Sequence, residues 1–148
     1  MNASNRIRTA LRAGLGLAAI VLAGCSNLTV MQYGETVSVD LRGSEEAPPV
    51  ATGAWGYGVI SVNSDHTVKG SITVAGLSPA AAHIHVGGRG TNGPVIVGLV
   101  NMGDNVWAVP AGAAISTDQF LAFKAGNLYI NVHTAAHKGG EIRGQLQP

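Results

Sequence analysis

The chain has 148 residues, 46% of them hydrophobic and only 11% charged, with a formal net charge of +1. Its single cysteine excludes an internal disulfide and a cysteine-built metal site. The lack of any Lys/Arg cluster excludes the phosphate-neutralising surface that a nucleic-acid partner needs.

Arg6, Arg8 and Arg12 precede an apolar stretch from Ala13 to Ala23 that closes on small residues. A positive start, a short apolar core and a small-residue end predict a signal peptide over residues 1–24, removed on export. The stretch is too short for a transmembrane helix, which takes about 20 apolar residues. Leu22-Ala23-Gly24-Cys25 resembles the lipobox of bacterial lipoproteins. That resemblance implies lipidation of Cys25, which becomes the first mature residue, and a tether over 25–35. It implies a membrane partner held through acyl chains, each buried methylene contributing about 0.8 kcal/mol. Ser26 after the cysteine resembles the outer-membrane sorting pattern, so the expected location is the cell envelope, at the outer membrane or periplasm. Without the three leader arginines, six basic residues face eight acidic ones, and the mature domain is slightly acidic.

From residue 36 the pattern has period two. Val37 to Arg42 alternates apolar and polar, as a half-buried strand does, and the prolines of Glu45-Glu46-Ala47-Pro48-Pro49-Val50 break it. Further strands are expected at Gly56–Val62, Thr67–Val74, Ala82–Val86 and Val95–Val100, with a weaker one at Val106–Val109. Ser116–Lys124 is the one predicted helix: Ser116 or Thr117 can cap it, Phe120, Leu121 and Phe123 form its apolar side, and Gly126 can end it. Leu128–Thr134 and Glu141–Leu146 close the chain as a strand pair. Many short strands with turns at close spacing predict one all-β domain over 36–148, an antiparallel sandwich of Greek-key, immunoglobulin-like or superoxide-dismutase-like type with one short helix.

Four of the five histidines fall in two groups. His83 and His85 flank Ile84 in a predicted strand, so both imidazoles leave the same face. His133 ends the strand from Leu128, on the face of Tyr129 and Asn131 and opposite Leu128, Ile130 and Val132; His137 follows in a glycine-rich loop. An H-x-H pair plus two further histidines is a candidate metal constellation, because neutral imidazole suits Cu, Zn, Ni or Fe. The bland alternative is a set of hydrogen-bonded or solvated histidines that never converge. His66 stands alone after a turn and is expected on the surface.

The segments Leu41-x-Gly43-x-Glu45-Glu46-x-Pro48-Pro49-Val50, Ala82-His83-Ile84-His85-Val86-Gly87 with Gly90-Thr91-Asn92-Gly93-Pro94, and Leu128-Tyr129-Ile130-Asn131-Val132-His133-Thr134 with Gly140-Glu141-Ile142-Arg143-Gly144-Gln145-Leu146 resemble, in order, the CHRD domain named after chordin. The resemblance covers about residues 36–147. It implies an extracellular β-sandwich and maps the family's histidine positions onto His83, His85 and His133. His137-Lys138 departs from the small residues common there. It leaves the biochemical role open. The His83-Ile84-His85 strand is also similar to the copper-binding element of copper-zinc superoxide dismutase, an analogy of fold alone that makes copper the first metal to test and zinc the second.

Around the histidines, Asn131, Glu141 and Arg143 are candidates to orient a ligand or attract an anion. The ordinary expectation for Glu141 and Arg143 is instead an ion pair on a solvated strand face. Met102 is expected in the core, with a soft axial ligand as its functional alternative. Trp55 and Trp107 are expected as core or rim aromatics, with sugar stacking as theirs. Gly87-Gly88-Arg89-Gly90 opens no predicted helix and so is no phosphate loop, and no G-x-S-x-G elbow is present. Three functions follow: a lipid-anchored copper- or zinc-binding protein of the envelope, a superoxide-dismutase-like redox enzyme at the same histidines, and an adhesion or interaction module that recruits an envelope protein and holds no metal.

Overall fold

A computed structural model describes residues 34–148; the predicted leader, Cys25 and most of the tether lie outside these residues. Nine strands follow in chain order: β1 (Glu35–Arg42), β2 (Trp55–Val62), β3 (Val68–Ala75), β4 (Ala81–Val86), β5 (Val95–Gly98), β6 (Val100–Gly103), β7 (Val106–Ala108), β8 (Leu128–His133) and β9 (Ile142–Leu146), with helix α1 (Thr117–Lys124) between β7 and β8. The all-β reading of the sequence holds. No helix among the described residues is long and apolar enough to cross a membrane.

The strands form one antiparallel sheet in the order β5-β4-β8-β9-β1-β2-β3-β7-β6. Its ends belong to neighbouring pieces of chain: only Leu99 separates β5 from β6. The predicted single strand Val95–Val100 is therefore two strands on opposite sheet edges. Its first half pairs with β4 and its second half with β7. Leu99, 8% exposed, turns inward between them and donates its N–H to the Ala82 carbonyl at 2.9 Å. A twisted sheet of this size curls until its ends approach, and one crossing segment nearly closes it into a flattened, sandwich-like shell.

The period-two pattern fills that shell. Val37, Val39 and Leu41 point inward from β1, Ile60 and Val62 from β2, Ile72 and Val74 from β3, and Leu128, Ile130 and Val132 from β8, all at most 6% exposed. Each large aliphatic side chain so buried contributes about 1.5–3 kcal/mol. Ser116 caps α1 through a reciprocal pair of bonds with Gln119 (2.8 and 3.2 Å), and Gly126 ends it at φ +71°. Phe123 anchors the helix in the core. Leu121 is 59% exposed, because the helix docks by a narrow edge and its apolar side is shorter than the sequence suggests. Met102 is also on the surface: β6 lies at the sheet edge with all four residues exposed. Trp107 is buried, whereas Trp55 projects outward from β2.

Candidate metal centre

The outer face of β4, β8 and β9 is polar, and strand pairing sets its layout. His83 lies opposite Asn131, His85 opposite Tyr129 and Ala81 opposite His133 on the β4–β8 ladder; Asn131 lies opposite Arg143 and Tyr129 opposite Gln145 on β8–β9. Directly paired residues share a face, so His83, His85, Tyr129, Asn131, His133, Arg143 and Gln145 form one layer. Ala81 leaves room beside His133, whose ring leans diagonally to His83 with centroids 4.9 Å apart.

One nitrogen from each of His83, His85 and His133 lies within 4.8 Å of the others, a group that could hold a metal ion. Nitrogens bound at about 2.05 Å to one ion stand at most roughly 4.1 Å apart, so small ring rotations would close the set. Carbonyl partners fix two tautomers. His85 Nδ1 donates to the Gly93 carbonyl at 2.9 Å and His133 Nδ1 to the Lys138 carbonyl at 2.9 Å. A carbonyl only accepts, so Nδ1 carries the proton in both rings and each Nε2 keeps its lone pair. His83 Nδ1 lies 3.0 Å from His133 Nε2 and donates to it when no ion is present. His85 Nε2 is buried and has no hydrogen-bond partner. An orphaned lone pair of this kind fits a cation, since burying an unpaired acceptor is costly.

The surroundings disfavour the charged forms of His83 and His85. Burial lowers the pKa of His83 below its usual 6.5, and the neighbouring His133 and His85 add to the effect. Burial also lowers that of His85, with the nearby His133 and Arg143 adding to the effect and the Gly93 carbonyl and Asn131 side chain partly offsetting it. One flank stays open: His83 and His133 are half-buried, and the residue opposite His83 on β5 is Gly98, which has no side chain to cover it.

Beneath His85 lies a stack. Its ring sits parallel to Tyr129, centroids 4.8 Å apart at 11°, and the Arg143 guanidinium covers that phenol ring at 3.4 Å from its centroid. Tyr129 Oη accepts the Gly93 N–H at 3.1 Å, so Gly93 is gripped through its N–H by Tyr129 and through its carbonyl by His85. No other residue fits there, as a Cβ on Gly93 would stand 1.7 Å from the Val86 carbonyl oxygen. Arg143 holds the same loop by donating to the carbonyls of Thr91 (2.9 Å) and Gly88 (2.8 Å).

Arg143 is thus no solvated ion-pair partner. It is 1% exposed and its N–H groups donate to loop carbonyls, so it offers no open donor for an arriving anion to contact. Nor does Glu141 meet Arg143 or an imidazole. It accepts from Thr52 (2.9 Å) and Thr134 (2.7 Å), which lower its pKa and tie two loops together. Asn131 donates to the Gly139 carbonyl at 3.2 Å and leaves its own Oδ1 buried without a partner. His137 lies outside the convergent group; its contribution is backbone, its carbonyl accepting from Gly140 at 3.1 Å. Met102, expected in the core, is 65% exposed on the edge strand β6. His66 stacks on Phe120 at 4.8 Å, away from the cluster.

Sequence reasoning missed three participants. Glu46 sits in the proline-rich segment yet is 5% exposed, and burial raises its pKa to about 7 despite the nearby Arg143 charge. Tyr129 and Gly93 also escaped notice, although Tyr129 shares the strand face of His133, a usable signal. The family model of the CHRD domain matches residues 37–146, most of the chain. No curated protein and no solved structure matches it.

Proposed function

The chain belongs to the CHRD-domain family, and from that premise we propose that it binds a transition metal, copper before zinc, at His83 Nδ1, His85 Nε2 and His133 Nε2, as a lipid-anchored protein of the cell envelope. The observation that carries the reading is the convergence of one nitrogen from each of His83, His85 and His133 within 4.8 Å of one another, together with the buried, unpartnered Nε2 of His85. Three neutral nitrogen donors without a thiolate or carboxylate suit Cu and Zn. The Gly93 and Lys138 carbonyls hold two of the rings in the ligating tautomer, the role that outer partners of metal-bound histidines play. His83 would exchange its hydrogen bond to His133 for a share in the ion. When bound, copper supplies one-electron exchange and zinc Lewis acidity. The envelope assignment rests on the leader pattern and Cys25, and holding or delivering metal there is the role that follows.

The open flank beside Gly98 favours a second reading, redox turnover of superoxide-dismutase type, since an enzyme needs a free coordination position. Against it, the buried Arg143 has no open N–H group with which to hold an anion at the site. Metal titration of the purified protein tests the proposal. We expect one Cu per chain, with affinity falling more than about a hundredfold in His83→Ala and His133→Ala, beyond the 10–100-fold typical of outer partners. Affinity in His137→Ala should be unchanged. Absence of stoichiometric binding would leave an interaction module. Superoxide consumption by the copper-loaded protein separates the redox reading from simple binding.

A further inference from the structure

The outer face of β1, β2 and β3 is open, and its centre is aromatic. Trp55 and Tyr57 project from β2 at 52% and 48% exposure. They stand two residues apart, so their Cα atoms are about 6.6 Å apart along one face. Register places Arg42 directly beside Trp55 and Asp40 directly beside Tyr57 on β1, with Thr73 on the other side of Tyr57 on β3. Neither Asp40 nor Arg42 makes an ion pair among the described residues.

Next to this row the sheet opens. β1 and β9 share a single register pair, Arg42 with Arg143. Where the two strands part, a polar cavity of about 410 Å³ forms, lined by Ser38, Asp40, Arg42 and Gln147 among others. Its remaining charges are paired with each other, Glu45 with Arg89. An aromatic platform thus borders a trough whose free groups are a carboxylate, a guanidinium, an amide and a hydroxyl.

We propose that this face binds a neutral polysaccharide. A sugar ring has an apolar C–H face and a rim of hydroxyl groups. Trp and Tyr rings cover such a face with large, stiff surfaces. Asp40, Arg42 and Gln147 can each engage two neighbouring hydroxyls through their forked polar ends. The charges decide between ligand classes. Asp40 offsets Arg42, Glu45 offsets Arg89, and Lys69, farther along β3 opposite Ser61, has Asp65 near it, so the surface carries no large net field to draw a polyanion or an acidic lipid surface. The aromatic row is one strand wide and flanked by polar rows, unlike the roughly 800 Å² patch per partner of a stable dimer. It also lies at the far end of β1 from Gly34, where residues 1–33 join, about 23 Å along the strand. The metal proposal plays no part in this assignment.

The two tryptophans make the test direct, because Trp55 is exposed and Trp107 is 6% exposed. The purified full chain is titrated with chitohexaose, cellohexaose and maltohexaose while tryptophan emission and acrylamide quenching are followed. We expect at least one to shield Trp55 saturably. By calorimetry, its affinity should fall roughly tenfold or more in Trp55→Ala and in Tyr57→Ala, both surface changes, with metal binding unaltered. No saturable shielding by any of the three, or unchanged affinity in both variants, overturns the proposal. Equal binding to polygalacturonate or to anionic phosphatidylglycerol vesicles also overturns it. So does a concentration-dependent dimer by sedimentation that Trp55→Ala abolishes, which would make the face a self-association surface.

Discussion

The two halves of the sheet put the same kind of strand to opposite uses. β1–β2–β3 and β4–β8–β9 both alternate, and both bury aliphatic residues on the inner face. Their outer faces differ. On the first half, Trp55 and Tyr57 stay about half exposed. On the second, loops fold over the face, and Arg143, Asn131, His85 and Gln145 fall to 1%, 2%, 7% and 9% exposure. Burial turns a polar face into a site: it obliges each donor to find a fixed acceptor, and so selects the tautomers of His85 and His133. An exposed polar face leaves these choices to water.

The comparison breaks most visibly at Arg143. Arg143→Ala removes two charge-assisted bonds to loop carbonyls and strands those carbonyls in a buried gap, at an expected cost of about 3 kcal/mol or more in urea unfolding. Arg42→Ala, its register partner on the exposed half, should cost under about 0.5 kcal/mol. Equal effects would mean that the loop cover contributes nothing.

Glu46→Gln comes next and carries a pH signature. Burial lifts the carboxyl from 4.5 to about 7, so the folded state holds its proton between these values while the unfolded state releases it. Stability therefore falls as pH rises from about 4.5 to 7, by up to about 3 kcal/mol. The amide escapes this penalty, so the variant should be more stable than the parent at pH 8 and equal to it at pH 4. A gap that does not change with pH would show that Glu46 remains ionised.

The smallest effect sharpens the contrast. His83 and His85 have lowered pKa values in the fold. Unfolded chains take up protons at these rings below about pH 6.5 and the folded protein resists, so stability falls as pH drops below 6.5. NMR titration of the imidazole resonances should place both midpoints under 6.5. A midpoint above that value would mean an open, solvated face like that of β1–β3.

Much of this was legible in the chain. Alternation located the strands, the Ser116 and Gly126 signals bounded the helix, and the period of two put His83 and His85 on one face and His133 with Tyr129 and Asn131 on another. Whether those two faces were the same one was not legible. The strand Val95–Val100 could not announce that it divides at Leu99, because both halves look alike until the sheet curls and offers each a different partner. Arg143 and Glu141 resembled a surface ion pair, since a sequence does not tell which outer faces a loop will cover.

The sequence by itself determined the strands, their inner faces and the stock of imidazole donors, because side-chain period and turn chemistry act over a few residues. Only the tertiary structure decided that β4 pairs with β8, that His83 and His85 meet a histidine about 50 positions away, and that the loops bury one polar face and leave the aromatic one bare. Those outcomes depend on long-range register and loop closure, which are fixed only when the whole sheet competes for partners at once.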